Sequence, residues 1–120
     1  MDIHLIIALF HILFVVPMFF LIAFFRSDLP SWAYQSLLGL GIFVLIYHGY
    51  KALVKYAAHS PYLWVNLIHV LIVAPLLIFI GANQKNTGKW AYEACIMVGF
   101  AALGYHTYSL VKMANVVEPN

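Results

Sequence analysis

The sequence predicts an all-α integral membrane protein, a four-helix bundle built from two tandem parallel repeats of one helical hairpin. Three observations predict this fold: a strongly apolar composition, four long apolar runs, and a match of the chain with itself at an offset of 58 residues. Of the 120 residues, 65% are hydrophobic and only 8% carry a fixed charge. A soluble domain of this size has too much surface for so few charged side chains.

Each apolar run is long enough to cross a bilayer as a helix. The runs have 22–25 residues, which at about 1.5 Å per residue span the hydrocarbon layer of ~30 Å with some tilt. Lipid offers the backbone no hydrogen-bond partners, so runs of this length are helical. We expect the first run to be a permanent helix, because Met1-Asp2-Ile3-His4 lacks the basic segment of a cleaved signal. The runs are Ile3–Phe25, Trp32–Tyr56, Pro61–Ala82 and Trp90–Met113.

The two halves of the chain align without a gap. Residues 5–57 and 63–115 are identical at 15 of 53 positions. We therefore predict one transmembrane domain, residues 1–120, with repeats at about 3–57 and 61–115. Since each repeat holds two helices, both repeats enter the membrane from one side and both termini lie at one face. The distinctive matches are His11 with His69, Pro17 with Pro75, Trp32-Ala33-Tyr34 with Trp90-Ala91-Tyr92, Gly41 with Gly99, and Tyr47-His48-x-Tyr50 with Tyr105-His106-x-Tyr108.

The charges give little information about partners or orientation. The net charge is +2, and no basic stripe typical of a nucleic-acid interface is present. Lysine and arginine are divided equally between the two predicted faces, so the positive-inside rule selects no topology. The predicted partner is the lipid bilayer. Four short helices enclose little volume, which leaves a homo-oligomer open, and no redox partner is identified.

Four histidines are predicted to lie at nearly one depth. From the helix rise, His11 is about 21 Å and His48 about 24 Å from the same membrane face. His69 and His106 repeat this arrangement, because both pairs are separated by 37 residues. If all four side chains point inward, they form a ring around the two-fold axis.

An intramembrane histidine is a candidate functional residue. Burial favours the neutral imidazole, which is a good ligand for transition metals. Tyr47 and Tyr105 directly precede two of the histidines and are included as hydrogen-bonding members of the site. The alternative is that the histidines only join the helices by hydrogen bonds.

Gly41 and Gly99 lie seven residues before a histidine, on the same face of the helix. A missing side chain there opens a slot for the flat face of haem b, with one histidine pair ligating and the other hydrogen bonding. The alternatives are close helix contact at the glycines, or a single zinc, copper or iron ion bound by up to four histidines.

Pro17 and Pro75 interrupt the first and third runs, six residues after a histidine. A proline ring displaces the carbonyl four residues back, so we expect a kink at each. The segment Leu67-Ile68-His69-Val70-Leu71-Ile72-Val73-Ala74-Pro75-Leu76 and its match around His11 and Pro17 resemble uncharacterised small four-helix membrane proteins of large algal DNA viruses. The resemblance covers most of the chain and implies an origin in a virus or in its host's membranes, with no established activity.

The sequence leaves three functions open. It contains no acid pair in the core, serine triad or phosphate loop, so hydrolysis and phosphoryl transfer are not expected; whether the chain is an enzyme stays open, because a redox role is possible. The first hypothesis is a haem or transition-metal site at the four histidines, for electron transfer or metal handling. The second is a small proton or ion channel or transporter gated by the same histidines. The third is a structural membrane protein.

Overall fold

The described residues form four long helices and no strand, which confirms the all-α prediction. The computed structural model describes residues 2–117, with the side chains of residues 2–115. Each helix begins and ends within four residues of the corresponding apolar run, and all four are long and apolar enough to cross a membrane. The helices are α1 (Ile3–Asp28), α2 (Ser31–Ala57), α3 (Leu63–Asn86) and α4 (Lys89–Val117).

Helices α1 and α3 share one internal irregularity. A five-residue π-helical turn, His11–Val15 in α1 and His69–Val73 in α3, interrupts each α-helix. The N–H of the residue after the turn, Val16 or Ala74, donates to the carbonyl of the histidine five residues back. A proline comes next in both helices, and because its ring excludes the carbonyl four residues back, the helix widens by one residue. The distortion expected at the prolines is therefore a π turn that begins at a histidine.

The same two helices end alike. Each finishes in a short 3₁₀ turn, Arg26–Asp28 in α1 and Gln84–Asn86 in α3. The first residue of each turn has a positive φ, 49° at Arg26 and 52° at Gln84. The hydroxyl of the fully buried Tyr34 donates to the carbonyl of Arg26 at 2.8 Å, so a side chain near the start of α2 holds the first of these turns.

Tertiary contacts divide the described chain into two compact units. Unit one combines residues 2–25 with residues 92–117, and so contains α1 with most of α4. Unit two is Arg26–Ala91 and contains α2 with α3. Each unit therefore takes one helix from each half of the chain.

Two glycines allow α2 and α3 to approach closely in unit two. A Cβ on Gly81 would lie 2.5 Å from the backbone nitrogen of Leu38, and one on Gly41 would lie 2.8 Å from the side chain of Ile78. Real side chains do not come this close, so both positions require glycine while the helices keep this spacing. Small residues are the usual means by which membrane helices reach such contact.

A glycine and an aromatic side chain meet in the same way in unit one. A Cβ on Gly99 would lie 2.7 Å from the ring of Phe20, which occupies the space that glycine leaves. Phe20 also packs edge-on against Phe100, with ring centroids 5.0 Å apart. The contact between α1 and α4 is therefore an aromatic ring seated on a glycine.

Candidate functional site

In unit one, His11 of α1 stacks on His106 of α4. Their ring centroids are 4.3 Å apart and the ring planes differ by 22°. His106 is buried, and His11 is partly exposed. The Nδ1 of His11 lies 2.8 Å from the carbonyl oxygen of Ile7. Since a carbonyl only accepts, Nδ1 carries the hydrogen and the neutral ring has its lone pair on Nε2.

In unit two, His48 of α2 stacks on His69 of α3. The ring centroids are 4.0 Å apart and the planes differ by 12°. The Nδ1 of His69 donates to the carbonyl oxygen of Val65 at 2.7 Å, so the lone pair of this neutral imidazole also lies on Nε2. The π-turn histidine of each unit is thus held by its own helix in one tautomer.

Asn66 adds an amide to the pair in unit two. Its Nδ2 lies 2.9 Å from the Nδ1 of His48, and because an amide NH₂ only donates, this nitrogen of His48 accepts. The neutral ring of His48 therefore carries its hydrogen on Nε2, the opposite tautomer from His69. Asn66 is 4% exposed, and among the described residues its Oδ1 is a buried oxygen without a hydrogen-bond partner.

Asn66 is a site residue that the match between the two halves of the sequence does not reveal. Its match in the first half is Ala8, so a search for identical positions passes over it. The available signal was the polarity of asparagine inside the third apolar run, whose other members before Asn83 are almost all apolar. A polar side chain within a membrane span is itself a functional candidate.

The two predicted tyrosines lie beside the pairs. Tyr47 meets His48 edge-on, with centroids 5.2 Å apart, and Tyr105 meets His106 edge-on at 5.1 Å. Such edge-to-face contacts favour one ring orientation. Both tyrosines thus contact the histidine that follows them.

Gly41 and Gly99 mark close helix contacts. The space left by the missing side chain contains Leu77 and Ile78 at Gly41, and Phe20 at Gly99. Of the alternatives that the sequence leaves for these glycines, the described packing is that of close contact. A haem slot at either glycine would require these side chains to move.

Within unit one the structure stacks His11 on His106, and within unit two it stacks His48 on His69. Across residues 2–117, no group of three or more histidine, cysteine, aspartate or glutamate side chains is arranged to hold a metal ion. Binding of one ion by all four histidines therefore stays a prediction. Each pair brings together two imidazoles from different helices. If both rings of a pair were protonated, their two positive charges would repel each other at this separation.

Comparison of the chain with protein-family models, with curated proteins and with solved structures gives no match. The resemblance to viral membrane proteins therefore stays a prediction, and the site has to be interpreted from its own chemistry.

Proposed function

We propose that this chain is a multi-pass membrane protein whose paired intramembrane histidines bind a transition metal, as an ion or in haem, for metal handling or electron transfer. The observation that carries the proposal is the backbone hydrogen bond at Nδ1 of His11 and His69, at 2.8 and 2.7 Å. This bond leaves the lone pair of each neutral ring on Nε2, and each ring is stacked on a second imidazole. Metal-ligating histidines typically have their other ring nitrogen held in this way.

The exposed apolar surface supports insertion into a membrane. Large apolar side chains on all four helices are mostly exposed, among them Phe24 at 79% and Met97 at 73%. Monomeric soluble proteins rarely expose such side chains in continuous patches, whereas lipid solvates them at no cost. All four helices have the length and composition to cross a bilayer.

A duplication of one hairpin accounts for the likeness of the two units. The contact of His11 with His106 corresponds, after a shift of 58 residues, to that of His69 with His48. The packing of Gly99 against Phe20 likewise corresponds to that of Gly41 against Ile78. The π turns and the positive-φ residues are also 58 positions apart. We propose that both histidine pairs descend from one ancestral site.

Metal content and the visible spectrum test the proposal. Protein extracted gently from its native membrane is expected to carry a stoichiometric metal, or a Soret band if the metal is in haem. Replacing all four paired histidines with glutamine should abolish either signal. A matched control, His4→Gln with His59→Gln, changes two histidines that belong to neither pair and should retain it. A folded, colourless wild-type protein that binds no metal even when Zn²⁺ is added would contradict the proposal.

The opposite tautomers in unit two favour a second candidate, a proton pathway. His48 has its hydrogen on Nε2 and the stacked His69 has a lone pair on Nε2. The pair therefore holds one N–H and one lone pair at Nε2, and because both lie in the planes of stacked rings, a relay passes the proton through water or after one ring turns. Proton flux into liposomes should then increase at acid pH and fall on His48→Gln or His69→Gln. Flux equal to that of empty liposomes would contradict this function and leave metal binding as the sole candidate.

A further inference from the structure

Position 66 is where the chemistry of the two units differs. Asn66 and its match Ala8 are both buried, at 4% and 2% exposure, and each lies three residues before the π-turn histidine. Residues three apart are neighbours on one helix face. Unit two therefore has an amide beside its histidine at the place where unit one has a methyl group.

The amide of Asn66 has one polar atom bonded and one without a partner. Its Nδ2 donates to His48 at 2.9 Å, which fixes the plane of the amide. Its Oδ1 is buried and has no hydrogen-bond partner among the described residues. A buried carbonyl oxygen is normally satisfied by a donor or by a cation. An oriented, unsatisfied oxygen on the helix face of His69 therefore points to a ligand.

We propose that Asn66 Oδ1 and His69 Nε2 bind one exchangeable divalent transition-metal ion of the Zn²⁺ class, and that unit one has no equivalent site. The proposal rests on the metal-binding function above and narrows it to a free ion in unit two. His48 is a positioning residue, because its Nδ1 holds the amide that presents Oδ1. Water completes the coordination of the ion.

The donor set selects the class of ion. Imidazole nitrogen suits zinc, copper, iron and nickel, whereas an amide oxygen is a hard donor that does not suit Cu(I). Asn66 Oδ1 and His69 Nε2 together do not suit haem iron, since an amide oxygen is not among the usual axial ligands. Two protein ligands with water bind weakly, and weak binding suits an ion that must enter and leave a membrane pathway.

Zinc binding to the full chain in lipid nanodiscs tests the proposal. We expect one Zn²⁺ per wild-type chain, and Co²⁺ in its place should give visible d–d absorption. Asn66→Ala should weaken binding about tenfold or more, as loss of an orienting or ligating group does. Asn66→Asp keeps the oxygen and adds a charge, so it should bind more tightly. The double variant His4→Gln with His59→Gln, which changes histidines of neither pair, should bind as the wild type does.

An asparagine introduced into unit one provides the matched control. Ala8→Asn places an asparagine three residues before His11 and should raise the stoichiometry from one ion to two. If Asn66→Asp and the His4/His59 variant are folded but Asn66→Ala binds zinc as the wild type does, the proposed site is wrong while metal binding survives. If zinc binding falls equally when either histidine pair is changed to glutamine, the proposed site is also wrong, because the ion is then not bound in unit two alone. A wild-type chain that binds neither Zn²⁺ nor haem overturns the proposed function itself.

Discussion

Unit one and unit two present the same pair of stacked imidazoles in different surroundings. In both, a histidine that opens a π turn donates Nδ1–H to the carbonyl four residues back and stacks on a histidine that follows a tyrosine. In unit one the neighbouring helix position is the methyl group of Ala8, whereas in unit two it is the amide of Asn66. The shared features come from the backbone and the proline, and the difference comes from one side chain.

Comparing the units shows which features of the site depend on Asn66 and which do not. The π turn, the tautomer of its histidine and the stack occur with or without the amide, so they do not depend on Asn66. A buried amide that donates to one of the histidines and keeps an unsatisfied oxygen requires Asn66 and occurs in unit two. Variants that exchange matched residues between the units therefore test which features belong to each.

The largest expected effect is on helix packing at Gly81. Its match in unit one is Ala23, which is buried and already carries a Cβ, whereas a Cβ on Gly81 would lie 2.5 Å from the backbone of Leu38. Gly81→Ala should therefore lower the free energy of unfolding by about 1–3 kcal/mol, the usual cost of overpacking. Reversible unfolding in mixed micelles measures it.

The reverse exchange is the control. Ala23→Gly should cost less, roughly 1 kcal/mol or below, because it adds backbone freedom without a clash. Equal costs at the two positions would show that the spacing of α2 and α3 is not set by glycine.

Asn66→Ala makes unit two resemble unit one. The variant loses the hydrogen bond to His48 but also removes a buried oxygen that lacks a partner, so the net loss of stability should be small, about 1 kcal/mol or less. The imidazole ¹⁵N signals of His48 should move, because its Nδ1 no longer accepts from the amide. The signals of His106 should not move. An unchanged His48 spectrum would mean that the amide does not set its tautomer.

The smallest effect is expected at the two tyrosines. Tyr47→Leu and Tyr105→Leu each remove one edge-to-face contact with a histidine, worth about 0.5 kcal/mol at a partly exposed position. Tyr47→Phe keeps the ring and should leave stability unchanged. Because Tyr47 also stacks on Phe43, with centroids 6.0 Å apart, the two contacts are compared by double-mutant cycles of each tyrosine with its histidine. Since the two contacts have nearly equal distances, the coupling energies from thermal unfolding in detergent should be the same. Clearly unequal energies would show that the contacts of Tyr47 with His48 and of Tyr105 with His106 are not equivalent.

The sequence predicts the helices well, because each apolar run has the length of a helix that could cross a membrane, and the helices follow the runs closely. The four runs and the nearly equal predicted depths of the histidines also single out one set of site residues. Within the units, the structure stacks His11 on His106 and His48 on His69. Which helices share a unit could not be predicted, since that depends on side-chain packing such as Phe20 on Gly99.

Two features of the site were beyond the sequence for different reasons. The prolines indicate a distortion, but whether a helix kinks or widens into a π turn depends on how its neighbours pack, so the π turns at His11 and His69 were not foreseen. Asn66 was not predicted because the match between the two halves of the sequence draws attention to identical positions. In this chain the residue that distinguishes the units is matched with a different residue, Ala8.

The most direct test of the site is the imidazole ¹⁵N spectrum of the protein in lipid, with and without Zn²⁺. At neutral pH, His11 and His69 should be protonated at Nδ1 and not at Nε2, because each Nδ1 donates to a backbone carbonyl. Added Zn²⁺ should shift the Nε2 signal of His69. A His69 ring protonated at Nε2 and indifferent to zinc would contradict the account.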